Sequence, residues 1–269
     1  MSKTQYKKFT FGEHLTDEQI AFFNRNGFIH FQGFVTRQTV DDILKSTEQV
    51  QKEWIANKVE KIKGVPIKYG VDVNGETIVH RFPFTSQFCE PVKRFVQDPH
   101  FQELKKLLPP GARIAENEKD GVIFNHYVNT EHSNFRQMGW HTDSMRDVFY
   151  GKKIMPMLNV GLYLDDSSES NGGLRILPGT HRQNIMSMMF RKAYFLNNGR
   201  DKNEMLVDAK AGDLVIHDGR IWHRVAMAPV LGEASRRRVM YTPVIVGAFQ
   251  PKHEHSRTPL YHHFQKLVK

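Results

Sequence analysis

Gly121-Val-Ile-Phe-Asn-His-Tyr-Val128, Met157-Leu-Asn-Val-Gly-Leu-Tyr-Leu164, Gly173-Leu-Arg-Ile-Leu177, Asp213-Leu-Val-Ile-His217 and Arg237-Arg-Val-Met-Tyr241, the last running on to Val246, are short runs of β-branched and aromatic residues. Gly, Pro and Asn punctuate the stretches between them. Several short strands at such spacing specify a sandwich or a barrel. Helical patterns precede them, so the fold class is mainly β with flanking helices, packed around one barrel. At ~150 residues per domain, 269 residues leave room for one or two domains, and barrels of roughly 200–250 residues often form one. A single domain over 1–269 is expected, with a mostly helical part over 1–118, a β core over 119–250 and a tail over 251–269.

Working back from the strands, Leu15-Thr16-Asp17-Glu18-Gln19 carries a capping-box pattern in which Thr16 and Gln19 satisfy each other's amides. Ile20, Phe22 and Phe23 follow, and Asn26-Gly27 ends that helix. Phe28-Ile-His-Phe31 reads as a strand. A second helix starts near Thr36 or Thr39, with Val40, Ile43, Leu44, Val50 and Trp54 at roughly helical spacing. Asn74-Gly75 between Tyr69–Val73 and Thr77–Phe82 signals a hairpin. Glu90 to Leu108 reads as helix, stopped by Pro109-Pro110.

Lys and Arg number 38 against 29 Asp and Glu, a formal charge of +9. That charge is dispersed: Lys58-Val-Glu-Lys-Ile-Lys63 and Arg236-Arg237-Arg238 are its densest runs, and neither is a basic tract of ~5–8 residues. With no nucleic-acid-binding module in view, nucleic acid is not an expected partner. A mild field favouring anionic small molecules is what +9 supports. No run of ~18 apolar residues marks a membrane span. The basic start of the chain lacks the apolar core of a secretory signal, and Cys89 has no partner, so the cytoplasm is the expected location. The 14 histidines, about 5% of the chain, are the compositional oddity.

Gly139-Trp140-His141-Thr142-Asp143 focuses that oddity. If extended, it projects His141 and Asp143 from one strand face, because the side-chain period is two. One imidazole beside one carboxylate is two-thirds of the facial 2-His-1-carboxylate site that holds non-heme Fe(II). The second histidine must come from elsewhere in the fold. His217 and His223, in Ala211-Gly-Asp-Leu-Val-Ile-His-Asp-Gly-Arg-Ile-Trp-His223, both compete for that place.

The order of these motifs, with Leu15–Ile20 and Asn26–Ile29 before them and Asn171-Gly-Gly-Leu-Arg-Ile-Leu-Pro-Gly-Thr-His181 and Arg236–Tyr241 beside them, resembles the phytanoyl-CoA dioxygenase family of Fe(II)- and 2-oxoglutarate-dependent oxygenases. The resemblance covers most of the chain and is poor between about 50 and 115. It implies a double-stranded β-helix of jelly-roll, cupin-like type, and a metal site of His141, Asp143 and His223, with His217 supporting from behind and His181 structural. It also implies an Arg that clamps the far carboxylate of 2-oxoglutarate. Arg237 fits the family pattern best, with Arg236 and Arg238 facing solvent, although a slip of one residue reverses the strand face. Asn125 and Tyr127 match positions that touch the co-substrate. The implied reaction hydroxylates an unactivated C–H of a small molecule with Fe(II), 2-oxoglutarate and O2, releasing succinate and CO2. Related halogenases have Gly or Ala where Asp143 stands, so the carboxylate implies hydroxylation or another oxidation.

The poorly matching stretch 57–90 and the loop Asn184–Phe195, with its Met, aromatic and basic side chains, are the expected substrate lids. The histidines of the tail (His253, His255, His262, His263) read as a solvated terminus. Two rival functions share the same ligand set: a Zn hydrolase-like barrel, since His2Asp also suits zinc, and a catalytically silent sensor or interaction protein.

Overall fold

The computed structural model describes residues 6–133, 136–145, 147, 153–259 and 262. Helix α1 (Asp17–Asn26) opens on the full capping box: the Thr16 hydroxyl accepts from the Gln19 amide while the Gln19 side chain accepts from the Thr16 amide. Gly27, at φ 75°, ends it and turns the chain into β1 (Phe28–Phe31). Helix α2 (Arg37–Ala56) starts at a Thr36 cap and buries Val40, Ile43, Val50 and Trp54 along one stripe. The hairpin β2 (Lys61–Ile62) and β3 (Val65–Pro66) follows, then β4 (Lys68–Val71) and β5 (Thr77–Phe82) on either side of Asn74-Gly75.

The helix expected to run unbroken from 90 to 108 is instead three pieces: α3 (Glu90–Gln97), α4 (Pro99–Glu103) and a 3-10 turn, Leu104–Leu107. The break falls at Asp98-Pro99. A proline pushes the residue before it out of the helical region, and Asp98 is extended at ψ 133°, its side chain accepting from His100 N–H as the cap of α4. The remaining strands are β6 (Arg113–Ile114), β7 (Ile123–Asn129), β8 (Met138–His141), β9 (Met157–Tyr163), β10 (Gly173–Ile176), β11 (Met205–Leu206), β12 (Leu214–Asp218), β13 (His223–Ala226) and β14 (Gly232–Ile245).

Apart from the β2–β3 hairpin, which stands by itself, these strands form two facing antiparallel sheets, the larger in the order β1-β12-β9-β14-β7-β5-β4 with β6 beside β14, the smaller β11-β10-β13-β8. Along the chain, strands β7 to β14 pass back and forth between the two sheets, which makes a double-stranded β-helix. The first 118 residues hold all of α1–α4, yet β1, β4, β5 and β6 from that part join the large sheet. Their apolar runs cover its edges at β12 and β7, which would otherwise present unpaired backbone.

Period-two alternation in the large sheet divides the core. Leu158, Val160 and Leu162 of β9, Leu214 and Ile216 of β12, and Met240 and Val244 of β14 pack with the helices through Val40, Ile43, Val92 and Phe95. The intervening positions turn the other way. Tyr127, Tyr163, Val215 and Val239 pack against Leu174, Ile176 and Val225 of the small sheet, and Asn125, Asn159, His217 and Tyr241 line a cavity between the sheets.

Gly27 shows how tightly this scaffold is closed: a Cβ there would lie 2.3 Å from the His181 ring. The His181 ring bonds Asn24 O at 3.1 Å, so it ties the end of α1 to the turn after β10. Thr16→Ala, which removes one cap, is expected to cost about 1 kcal/mol. Gly27→Ala adds left-handed strain to the displaced ring and should cost roughly 2–3 kcal/mol. Urea-unfolding midpoints of the two variants against the parent protein test that order.

Candidate metal centre

Strand β13 pairs with β8 so that His223 stands directly across from His141, and the two ring centroids are 4.1 Å apart. The pairing is irregular on the next step, Val225 facing Met138, so β8 carries an extra residue in a bulge. The freed backbone of Trp140 is taken by another segment: Trp140 N–H donates to Asn197 O and Phe195 N–H donates to Trp140 O, both at 2.9 Å. Gly139 permits that approach, because a Cβ there would sit 2.2 Å from Phe195 O. Phe195, held at φ 59°, lays its ring on His141 at a centroid distance of 4.9 Å and an interplanar angle of 27°.

Asp143 lies just beyond the end of β8, in a turn fixed by Ser144 N–H donating to Gly219 O at 2.9 Å. The Asn159 side-chain amide donates to its Oδ2 at 3.0 Å, and His217 Nε2 is 3.3 Å from the same oxygen. His141 Nε2 is 4.0 Å from Oδ1 and His223 Nε2 3.9 Å from Oδ2. One donor atom from each of His141, Asp143 and His223 fits within 4.8 Å of the others.

The imidazoles are oriented for ligation. His141 Nδ1 bonds Gly139 O at 2.7 Å and His223 Nδ1 bonds Ile221 O at 3.1 Å, each a carbonyl two residues back. A carbonyl accepts only, so Nδ1 carries the proton and the Nε2 lone pair points at the cluster. Burial holds both rings below the usual histidine range, His223 furthest, with His141 beside it adding to the effect. Burial opposes ionisation of Asp143, but His223 and the hydrogen-bonded His217 outweigh it and hold the carboxyl well below the usual range. Neutral imidazoles around an ionised carboxylate are the donor set a divalent cation requires.

Three consecutive arginines have different fates on β14. Arg236 pairs with Glu233 and bonds His126, and Arg238 forks onto Asp165 with two bonds of 2.7 Å. Arg237, 5% exposed, points between the sheets with Val239 and Tyr241. Its guanidinium lies 5.1 Å from the centroid of the Tyr127 ring and donates to Ala226 O at 3.2 Å. Its Nε has no hydrogen-bond partner among the described residues. Burial lowers its affinity for the proton and raises the Tyr127 phenol to about 12. A buried guanidinium that lacks a carboxylate costs several kcal/mol, and a ligand carboxylate received bidentately offsets that cost. Asn125 and Tyr127 line the cavity, of about 170 Å³, together with His141, Asp143 and His223.

The family model for phytanoyl-CoA dioxygenase matches residues 23–237. The chain belongs to the phytanoyl-CoA dioxygenase family. An ectoine dioxygenase of Bordetella parapertussis is 22% identical over 183 residues, 67% of this chain and 54% of that protein. The chain thus spans about half the length of the curated relatives it matches. Among solved structures, the 2-oxoglutarate-dependent carbocyclase SnoK of nogalamycin biosynthesis superposes with a TM-score of 0.65 at 14% identity, covering 98% of this chain and 94% of that one. EvdO2 of Micromonospora carbonacea var. aurantiaca, complexed with 2-oxoglutarate, gives 0.61 at 12% identity, over 93% and 99%. These likenesses speak to the fold.

In this phytanoyl-CoA dioxygenase family member, His217 stands behind Asp143 rather than across from His141, and the expected lids divide. The stretch 57–90 extends the large sheet through β4 and β5 and contributes Arg81 alone to the cavity wall, because its apolar Ile78, Val79 and Phe82 are spent on packing. The loop Asn184–Phe195 does reach the cavity, through Tyr194 and Phe195. Tyr194 shares a 2.6 Å hydrogen bond with Thr142. The tail is not simply solvated. Lys252 N–H donates to Asn117 O and His262 is buried 3.3 Å from Asp120, although His253 and His255 are exposed; His263 lies outside the described residues. Asn159 was detectable as the lone polar residue among Leu158, Val160 and Leu162; Phe195 sits in a loop without periodicity and left no such signal.

His126 supplies a pH test that leaves the metal centre untouched. Burial holds its imidazole well below the usual range, with Arg236 and Arg238 adding to the effect. The unfolded chain takes up a proton there near pH ~6.5, the folded chain does not, and stability therefore falls as pH drops through that value. His126→Gln is expected to flatten the decline of the urea midpoint between about pH 7.5 and 5.5; an unchanged slope would show that His126 protonates equally in both states.

Proposed function

We propose that this protein is an Fe(II)- and 2-oxoglutarate-dependent dioxygenase that hydroxylates an unactivated C–H of a small molecule, with release of succinate and CO2. The observation that carries the reading is the pairing of two features between the sheets: the His141–Asp143–His223 cluster, and a buried arginine, Arg237, that faces the ring of the cavity-lining Tyr127 and that no carboxylate among the described residues satisfies. A Zn hydrolase-like barrel uses the first and has no need of the second. A silent metal-binding protein would use the first as well and likewise has no need of the second.

His141, Asp143 and His223 would hold the iron, and Arg237 would receive the distal carboxylate of 2-oxoglutarate over the Tyr127 ring, with Asn125 alongside. Bound there, iron and 2-oxoglutarate supply the oxidising power that side chains lack. The chain supplies position and field. The carbonyls of Gly139 and Ile221 lock the two rings, and Asn159 and His217 fix the carboxylate plane of Asp143. The carboxylate offsets part of the cation's charge. Phe195 shields the outer face of His141 and excludes water from that side. Cys89, buried without a disulfide partner, suits a reducing, cytoplasmic setting.

Anaerobic addition of Fe(II) and 2-oxoglutarate should produce the visible charge-transfer band of the chelate. Asp143→Ala is expected to lose both the band and succinate formation; undiminished succinate from that variant would overturn the ligand set. Arg237→Met should keep metal binding but weaken 2-oxoglutarate by roughly 30-fold or more, since a truncated buried charge pair costs ~2 kcal/mol or more. Absence of the band with all three ligands intact would favour the hydrolase-like or sensor reading.

A further inference from the structure

The loop that carries Tyr194 and Phe195 into the cavity wall has a second, outward side. Its short helix α5 (Ile185–Phe190) is capped by Asn184, whose side chain accepts from Ser187 N–H at 2.8 Å. At ~100° per residue, Ile185, Met186, Met189 and Phe190 share one arc of that helix, and the buried Met188 lies outside it. Ile185, Met186, Phe190 and, further on, Leu196 are between 48% and 71% exposed. One exposed apolar side chain needs no explanation, but four large ones on a single loop mark a contact surface. The loop is held firmly from its inner side. Trp140 Nε1–H donates to Gly199 O at 2.8 Å, and the Lys192 ammonium lies 4.6 Å from the Trp140 ring centroid while pairing with Asp201 at 2.6 Å. The charge on this stretch is one-sided: residues 182–203 contain Arg182, Arg191, Lys192, Arg200 and Lys202 against one acid, Asp201, which Lys192 takes. Glu204, just beyond, has a buried side chain forked by Arg224 at 2.9 and 2.7 Å. Arg191, Arg200 and Lys202 are exposed.

We propose that the outward side of this loop docks on an anionic lipid membrane, with Met186 and Phe190 entering the interface and Arg191, Arg200 and Lys202 meeting the headgroups. A lipid surface offers apolar depth and negative charge in one plane and needs no shaped pocket, which is the chemistry this face presents. A second copy of the chain seated on the same face would set these cations against one another. The contact is peripheral, since no helix among the described residues is long and apolar enough to cross a membrane. Docking there would set lipid on one side of the loop and the cavity wall, through Tyr194 and Phe195, on the other. It requires neither iron nor 2-oxoglutarate, so it stands or falls apart from the dioxygenase reading.

The full chain is sedimented with vesicles of phosphatidylcholine alone and of phosphatidylcholine carrying about one-third phosphatidylglycerol. Binding to the anionic vesicles is expected to be about tenfold or more tighter than to the neutral ones and to weaken as salt is raised. Met186→Ser combined with Phe190→Ser should weaken it by about tenfold or more, because the buried apolar area is lost. Arg191→Gln combined with Lys202→Gln should reduce the preference for anionic over neutral vesicles severalfold. Leu231→Ser, which removes a similarly exposed apolar side chain from the turn before β14, should bind as the parent does. The substituted side chains are all exposed, so urea midpoints should match the parent's. Absence of binding to the anionic vesicles overturns the proposal. So does binding that survives Met186→Ser with Phe190→Ser, which would show general attraction of a chain of charge +9, and so does an equal loss from Leu231→Ser. A dimer in lipid-free sedimentation equilibrium that the Met186→Ser, Phe190→Ser protein no longer forms would give the face to a second copy and reject the membrane.

Discussion

The register between β8 and β13 is the constraint on which the centre depends. Directly opposed residues on antiparallel strands stand about 4.5–5.5 Å apart at Cα, so opposing His141 and His223 brings two imidazoles from distant parts of the chain into contact. A slip of one residue would turn either ring to the other face of the sheet. The register is held from both sides. On β13, Val225 and Ala226 pair with β10 through Leu174 and Gly173. On β8 the bulge lifts Trp140 out of the ladder, and the segment Phe195–Asn197 accepts its backbone in place of β13. The same bulge therefore aims His141 and seats the aromatic ring that covers it.

The same period-two logic separates the arginines. Residues of β14 face alternately the helices and the small sheet, so Arg237 could not share a face with its neighbours. Arg236 and Arg238 each find a carboxylate on the outside, Glu233 and Asp165. Arg237, inside with Val239 and Tyr241, finds aromatic rings and one carbonyl among the described residues. An outward arginine stabilises the surface modestly; an inward one without an anion is a cost that makes sense for a charge yet to arrive.

The strands were legible because their composition and punctuation are local properties, and β7, β9, β10, β12 and β14 fall within a few residues of their expected bounds. The Thr16–Gln19 box was legible for the same reason. The approach of His141 to His223 depends on sheet pairing, which no local pattern states; it was accessible only through motif order. His217 illustrates the limit. It has the same apolar strand context as a ligand would, and only its position on β12, across from Asn159 on β9, sets it behind Asp143. The break at Asp98-Pro99 was readable in principle, since proline acts on the residue before it, but the helical periodicity on either side masks it.

These features share an energetic character. A guanidinium lies buried with no anion beside it among the described residues, and Phe195 adopts a left-handed backbone. Each is unfavourable taken alone, and each is held by a part of the fold that is well satisfied: the capped helices, the continuous apolar layer of Leu158, Leu162 and Ile216, and the forked arginines outside. On the dioxygenase reading the centre gains from this arrangement, because ligands that relieve the strain stabilise the folded chain in proportion to their affinity. Rigidity in the scaffold thus permits a buried guanidinium between the sheets whose Nε has no partner among the described residues.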